Sequence, residues 1–199
     1  MPRWKYYDAP DFHELAFAFP PQSIWRAHSF SAMVTELGCL GGETRTLLDV
    51  GCGTGVLTKM MALRRPRLAI TAIDLSPHMV NYAKRVHSHP SIEYRTQDFW
   101  QENGSYDCVT SAYCWYFFPL ESAARKLKSI LNPKGSALIV ATTGTPLTRM
   151  HRKIMSSISG QDLRRPQDIT LSLDREGFST EWRMVDRIEG SYLVVAILE

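Results

Sequence analysis

The residues best suited to chemistry in this 199-residue chain sit where apolar runs end. Leu47-Leu48-Asp49-Val50-Gly51-Cys52-Gly53-Thr54-Gly55 is an apolar run closed by three alternate glycines. Glycine lets a backbone turn sharply and approach a ligand closely. Open α/β sheets take their ligands at the carboxyl ends of the strands, where such a turn would lie. Nineteen residues past Gly55, a second apolar run, Ala69-Ile70-Thr71-Ala72-Ile73, ends in Asp74. A carboxylate there can accept both ribose hydroxyls of a nucleoside and repels a 2′-phosphate, so a nucleoside is implied and NADP is not. As a dinucleotide fingerprint the loop lacks its third glycine, because Val56 stands three after Gly53. No Gly-Lys-Ser/Thr follows, so it is not a P-loop either.

Taken in order, Leu48-Asp49-Val50-Gly51-Cys52-Gly53-Thr54-Gly55, Ile73-Asp74-Leu75-Ser76-Pro77-His78-Met79 and Gln97-Asp98-Phe99 resemble the class I S-adenosylmethionine (SAM)-dependent methyltransferase family over residues 46–141. The resemblance implies SAM as cofactor and S-adenosylhomocysteine (SAH) as product. It implies that Gly51, Cys52 and Gly53 pass the methionine part, with Asp49 positioning the loop near the amino group. By the same resemblance Asp74 holds the ribose with Leu75 next to it in the cofactor-binding set, Asp98 with Phe99 meets the adenine amino group, and Met79 is both core and adenine neighbour. Ser111, at the end of the next strand, completes the cofactor set. Tyr7 resembles the N-terminal aromatic that closes over the cofactor in small-molecule methyltransferases. Arg26, twenty-three residues before Asp49, stands where relatives place an arginine on the methionine carboxylate. Two plainer readings stay open: Asp98 as a turn residue, and Asp74 as a helix cap, although Ser76 is the better cap.

Methyl transfer from a sulfonium is an in-line displacement, and the main lever is holding nucleophile, methyl and sulfur collinear in a dry site. A base is needed only when the nucleophile must shed a proton. The candidates are Tyr7, His78, Tyr113, Tyr116 and His151. The aromatic run Tyr113-Cys114-Trp115-Tyr116-Phe117-Phe118 is expected to wall the acceptor pocket opposite Tyr7; the competing reading is that several of its rings pack helix against sheet.

These residues need a scaffold. Strands are expected near Thr46–Val50, Leu68–Asp74, Ile92–Arg95, Tyr106–Ser111 and Ser136–Ala141, alternating with helices in β-α-β fashion. One helix starts at Ser76-Pro77 and runs to about Val86. Another follows Pro119 to Leu131 and stops at Asn132-Pro133-Lys134-Gly135. Further helices are expected over Gln22–Leu37, Pro146–Ile158 and Pro166–Glu176, and Ser179–Arg187 pairs with Tyr192–Leu198 across Glu189-Gly190. The fold class is therefore α/β: a Rossmann-like, doubly wound, mostly parallel seven-stranded sheet with a terminal antiparallel hairpin and an N-terminal helical cap. The length suits a single domain over residues 1–199, with cap and helix in 1–40 and the SAM-binding core in 44–199.

A formal charge of +3 with scattered basic residues argues against nucleic acid, and no long apolar run suggests a membrane. The four cysteines form no C-x-x-C pair and no metal is expected. The amino terminus does not read as a signal peptide, so the expected setting is the cytoplasm. The motifs of base-methylating enzymes, Asp/Asn-Pro-Pro-aromatic and Pro-Cys, are missing after the fourth strand, where Ser111-Ala112-Tyr113-Cys114 stands. A small-molecule acceptor is thus expected, with the protein a monomer or homodimer. The alternatives are an NAD-dependent short-chain oxidoreductase, against which no Tyr-x-x-x-Lys pair occurs, and a non-catalytic partner subunit, which has no need of a ribose-binding carboxylate.

Overall fold

The structure is a computed structural model in which residues 9, 10, 14, 22–41, 43–145 and 163–199 are described. The expected helix over Pro146–Ile158, together with Tyr7 and His151, lies outside the described residues.

Helix α1 (Gln22–Cys39) leads into β1 (Thr46–Val50), and then α2 (Val56–Arg64), β2 (Ala69–Asp74), α3 (Pro77–Val86) and β3 (Ile92–Thr96) follow. After a short 3-10 turn at Phe99–Gln101 come β4 (Tyr106–Ala112), a second such turn at Trp115–Phe117, α4 (Leu120–Ile130) and β5 (Leu131–Thr142). Helix α5 (Pro166–Asp174) and the hairpin of β6 (Phe178–Asp186) and β7 (Ser191–Leu198) close the described chain. The seven strands form one sheet in the order β3-β2-β1-β4-β5-β7-β6. β7 alone runs antiparallel, pairing with β5 on one side and β6 on the other. The mostly parallel sheet with an antiparallel terminal hairpin is as the sequence indicates.

Strand periodicity decides which residues go to which layer. Leu47 and Cys108 join Met33 and Leu37 of α1 and Leu57 and Met61 of α2 on one face. Leu48, Val50 and Val109 point to the other face, against Ala123 and Leu127 of α4 and Ile169 and Leu173 of α5. Both faces of β1 are covered, which is why its sequence is apolar apart from Thr46, at its partly exposed start, and Asp49. Helix α1 is therefore a layer of the core: Met33 and Leu37 are fully buried.

The end signals read from sequence act as expected at two helices. Ser76 accepts from Met79 N at 3.1 Å ahead of Pro77, and Gly177 turns the chain at φ 91 after α5. One element differs. The segment Asn132-Pro133-Lys134-Gly135 stops α4 but does not precede the strand; it is a loop within β5, which already pairs Leu131 with Tyr106 before resuming at Ser136 opposite Cys108. Lys134 takes φ 62, and Asn132 Nδ2 donates to Asp107 Oδ1 at 2.7 Å, tying the loop to β4. Burial opposes the charge on Asp107, yet hydrogen bonds from Arg45 N, Asn132 and Thr46 hold its carboxyl below the usual range. No helix among the described residues is long and apolar enough to cross a membrane.

Candidate active site

The glycine loop follows from its two anchors. Gly51 N and Cys52 N both donate to Ile73 O, at 2.9 and 3.0 Å, so the turn leaving β1 folds over the end of β2. Gly51, Gly53 and Gly55 all take positive φ, at 72, 53 and 84°, a region side chains other than glycine rarely adopt. At Gly51 a Cβ would lie 2.5 Å from Cys114 Sγ, and at Gly55 one would lie 2.7 Å from Tyr94 Oη, so both glycines are required by close packing. At Gly53 nothing lies within 4 Å of an added Cβ, and the loop faces open space there.

Asp74 holds this loop. Its Oδ2 accepts from Gly53 N and its Oδ1 from Ser76 N, each at 2.9 Å. The carboxylate thus joins the glycine turn to the start of α3 and remains partly exposed. Capping of α3 is left to Ser76.

Asp49 is the buried charge of the site. Thr58 Oγ1 donates to its Oδ2 at 2.6 Å and Thr110 Oγ1 to its Oδ1 at 2.9 Å. Burial pushes its pKa up to about 6, the two threonine hydroxyls pull it down, and the charge of Asp74 adds a further push upward. Neither threonine is conspicuous in the sequence. Thr110 becomes a partner because β1 and β4 pair Asp49 with Thr110, and Thr58 because α2 starts directly after the glycine turn.

The remaining expected residues divide. Met79 and Phe99 are buried, Leu75 is exposed, and Cys52 lies between. Asp98 caps the turn at Phe99–Gln101, accepting from Trp100 N at 3.0 Å, and stays partly exposed next to buried Phe99. Ser111 is fully buried beside Cys114. Arg26 faces Glu14, at 3.4 Å, and Glu14 in turn accepts from Thr54 Oγ1 of the glycine loop at 2.5 Å. Arg26 therefore meets the loop through a carboxylate that sequence reasoning passed over.

The aromatic run after β4 is split by burial. Trp115 and Tyr116 lie in the core with Phe99 and Phe118, Trp115 fully so, and they pack α4 against the sheet. Their burial is that of the helix-to-sheet packing reading, whereas Tyr113, Cys114 and Phe117 of the same run are only partly buried. Tyr113 takes φ 57 and sends its hydroxyl to Ser29, Ser191 and Glu189. His78 is exposed on α3. Among the described residues no group of His, Cys, Asp and Glu is arranged to hold a metal ion.

A glycine turn held by a strand-end carboxylate, on a sheet ordered β3-β2-β1-β4-β5-β7-β6, gives the chain the Rossmann-like fold of the class I SAM-dependent methyltransferases. Residues 47–135, just under half of the chain, match the family described as "Methyltransferase domain". Malonyl-[acyl-carrier protein] O-methyltransferase of Acetivibrio thermocellus is 39% identical over 92 residues, covering 45% of this chain and 32% of that protein. Ubiquinone biosynthesis O-methyltransferase of Xanthomonas axonopodis pv. citri is 37% identical over 108 residues, covering 50% of this chain and 44% of that one. The matches span less than half the length of either relative. Among solved structures, magnesium protoporphyrin IX methyltransferase from Synechocystis PCC 6803 with bound SAH superposes with a TM-score of 0.75. It is 22% identical, covers 98% of this chain and 97% of its own, and establishes the fold.

Proposed function

We propose that this protein transfers the methyl group of SAM to a small-molecule acceptor by in-line displacement. The observation that carries the reading is the Asp74–Gly53 clasp, because it sets a partly exposed carboxylate beside a glycine turn that opens onto free space at Gly53. The residues present fit the cofactor. Gly51, Cys52 and Gly53 would pass its methionine part, Asp74 and Leu75 its ribose, and Asp98 with Phe99 and Met79 its adenine. Asp49 would face the amino group, with Ser111 behind the loop. Tyr7 would close over the cofactor, and Arg26 would serve its carboxylate, directly or by holding Glu14 against Thr54. When bound, SAM supplies an activated methyl group on a sulfonium.

The chain's part is to bind, orient and exclude water. Asp74 retains acceptor capacity beyond the two amides it holds, since an ionised carboxylate offers about four lone-pair sites. Asp49, dry and held by two hydroxyls, presents its charge in a fixed direction without solvent reorganisation. The reading includes a cytoplasmic, monomeric or homodimeric enzyme in which residues 44–199 are the cofactor-binding unit. It excludes nucleic acid as acceptor, in keeping with the modest, scattered charge.

The test is calorimetric titration of the native protein with SAH, followed by an acceptor screen with methyl-labelled SAM. Micromolar SAH binding that Asp74→Ala weakens by roughly 30- to 150-fold supports the reading. Absence of SAH binding to wild type would overturn it, and binding with no transfer to any acceptor would favour the non-catalytic subunit.

A further inference from the structure

A second group of polar side chains lies at the same edge of the sheet, separate from the hydrogen bonds of the glycine loop. Tyr113 Oη is 2.7 Å from Ser29 Oγ of α1, 3.1 Å from Ser191 Oγ of β7 and 3.3 Å from Glu189 Oε2 in the β6–β7 turn. Ser191 Oγ donates to the same Glu189 oxygen at 2.5 Å. Ser29 and Ser191 are fully buried, and Glu189 is only 7% exposed. The backbone of Glu189 is fixed on both sides: its N–H donates to Asp186 Oδ1 at 2.8 Å, and its carbonyl accepts from Thr142 Oγ1 at 3.1 Å. β7 runs antiparallel, so its first residue, Ser191, pairs with Thr142, the last of β5. That register brings a carboxylate from the far end of the chain to the carboxyl edge of the parallel strands.

Two observations connect the group to methyl transfer. Tyr113 holds φ 57, a strained conformation for a bulky residue and one concentrated at functional sites. The next residue, Cys114, packs against Gly51 so closely that a Cβ there would lie 2.5 Å from its Sγ. Tyr113 thus stands one residue from a side chain packed on Gly51, the first glycine of the loop assigned above to the methionine part.

Resting on the methyltransferase reading, we propose that Glu189 is the acceptor-side general base, with Tyr113 as its proton relay, and that the acceptor is a neutral molecule with a hydroxyl nucleophile. A carboxylate acceptor would be repelled by Glu189. An ammonium would be held there as an ion pair with no lone pair to give. A hydroxyl can donate to Tyr113 Oη, which donates in turn to Glu189. The acceptor's proton passes to the Tyr113 oxygen as the proton of Tyr113 passes to Glu189. The electron pair left on the acceptor oxygen forms the O–CH3 bond while the S–CH3 bond breaks with its pair on sulfur. The products are a methyl ether, a neutral thioether and a protonated Glu189 that returns its proton to solvent. Among the described residues Tyr113 donates to Glu189, Asp186 of β6 accepts the Glu189 N–H, and His28 of α1 has its Nδ1 2.8 Å from Asp186 Oδ2.

The test compares wild type with Glu189→Gln and Tyr113→Phe, using catechol, p-nitrophenol, benzoate and benzylamine as methyl acceptors. SAH affinity, read by calorimetry, is expected to stay within about threefold, since charged contacts to the cofactor are untouched. Catechol turnover is expected to fall roughly 10²–10⁴-fold in Glu189→Gln, with loss of the acid limb of its pH profile. Binding of catechol to the SAH complex should weaken about tenfold or more. p-Nitrophenol, ionised at an alkaline assay pH, should lose little. Unchanged catechol turnover or an unchanged acid limb in Glu189→Gln overturns the proposal. So does transfer to benzoate or benzylamine alone, or to no phenol. If Glu189→Gln does not fold, Tyr113→Phe decides by the same measures. Failure of wild type to bind SAH is a different result and removes the underlying reading.

Discussion

The carboxylate of Asp74, at the last position of β2, accepts the backbone N–H of Gly53 at 2.9 Å. The glycine turn is therefore held from outside by a residue that is also partly open to a ligand. Asp74→Ala is expected to weaken SAH binding by roughly 2–3 kcal/mol, the range for charge-assisted hydrogen bonds. Asp74→Asn keeps an acceptor for only one of the two amides, Gly53 N or Ser76 N, so it should lose part of the stability as well as affinity, though less of the stability than Asp74→Ala. Calorimetry and thermal unfolding on both variants separate the two roles; affinity within about threefold of wild type in Asp74→Ala would remove the ribose assignment.

Gly51 and Gly53 share the left-handed conformation but differ in surroundings. A Cβ at position 51 would meet Cys114 Sγ at 2.5 Å, whereas at 53 it meets nothing within 4 Å. Gly51→Ala should therefore destabilise by about 2–4 kcal/mol, combining backbone strain with overpacking. Gly53→Ala should cost only about 1–2 kcal/mol, the backbone part alone, and act mainly on cofactor affinity. Urea unfolding midpoints give the order, and equal losses in the two variants would contradict it.

The pH behaviour of Asp49 has a definite sign. Its folded pKa, raised to about 6 by burial, lies above its unfolded value of 3.8. The protonated form is the one the fold favours, so this contribution is fully present below pH 3.8 and lost as pH rises through about 6. The span corresponds to on the order of 2–3 kcal/mol between pH 4 and pH 7. The cofactor's amino group, if it meets Asp49, favours the ionised form, so SAH affinity should rise with pH from about 5 to 7 and protons should be released on binding. Asp49→Asn should flatten both slopes in parallel titrations in two buffers of different ionisation enthalpy.

Trp115 is fully buried, and its indole N–H has no hydrogen-bond partner among the described residues. Trp115→Ala is expected to lower stability by about 3–5 kcal/mol, and Trp115→Phe by less, as core truncations do. A stable Trp115→Ala protein that binds SAH normally but loses acceptor turnover would return this residue to the pocket wall.

Much of the scaffold is legible in the residue order, for identifiable reasons. A strand covered on both faces must be apolar along its length, so β1 and β5 stand out as Leu47-Leu48 and Ala137-Leu138-Ile139-Val140. Three glycines after Asp49 and a carboxylate closing the next apolar run are local signals, because positive φ and a strand end are local conditions. Ser76-Pro77 and Gly177 mark helix ends by the same kind of short-range chemistry. The loop inside β5 is less legible, because Asn132-Pro133-Lys134-Gly135 breaks a helix whether the chain then leaves the sheet or, as here, loops out within one strand.

The sequence by itself determined the sheet's apolar strands, the glycine turn and the acidic residue that closes β2, since each depends on neighbours a few positions away. Only the tertiary structure decided what those residues touch. Thr110 reaches Asp49 through a pairing of strands sixty-one positions apart, and Ser29, Tyr113 and Glu189 meet because β7 runs backwards along β5. It also decided that Trp115 and Tyr116 are core while Tyr113, in the same aromatic run, turns its hydroxyl to polar partners. A run of rings carries no record of which way each one faces; a backbone at φ 57 and the packing of α4 settle that, and both exist only once distant strands are side by side.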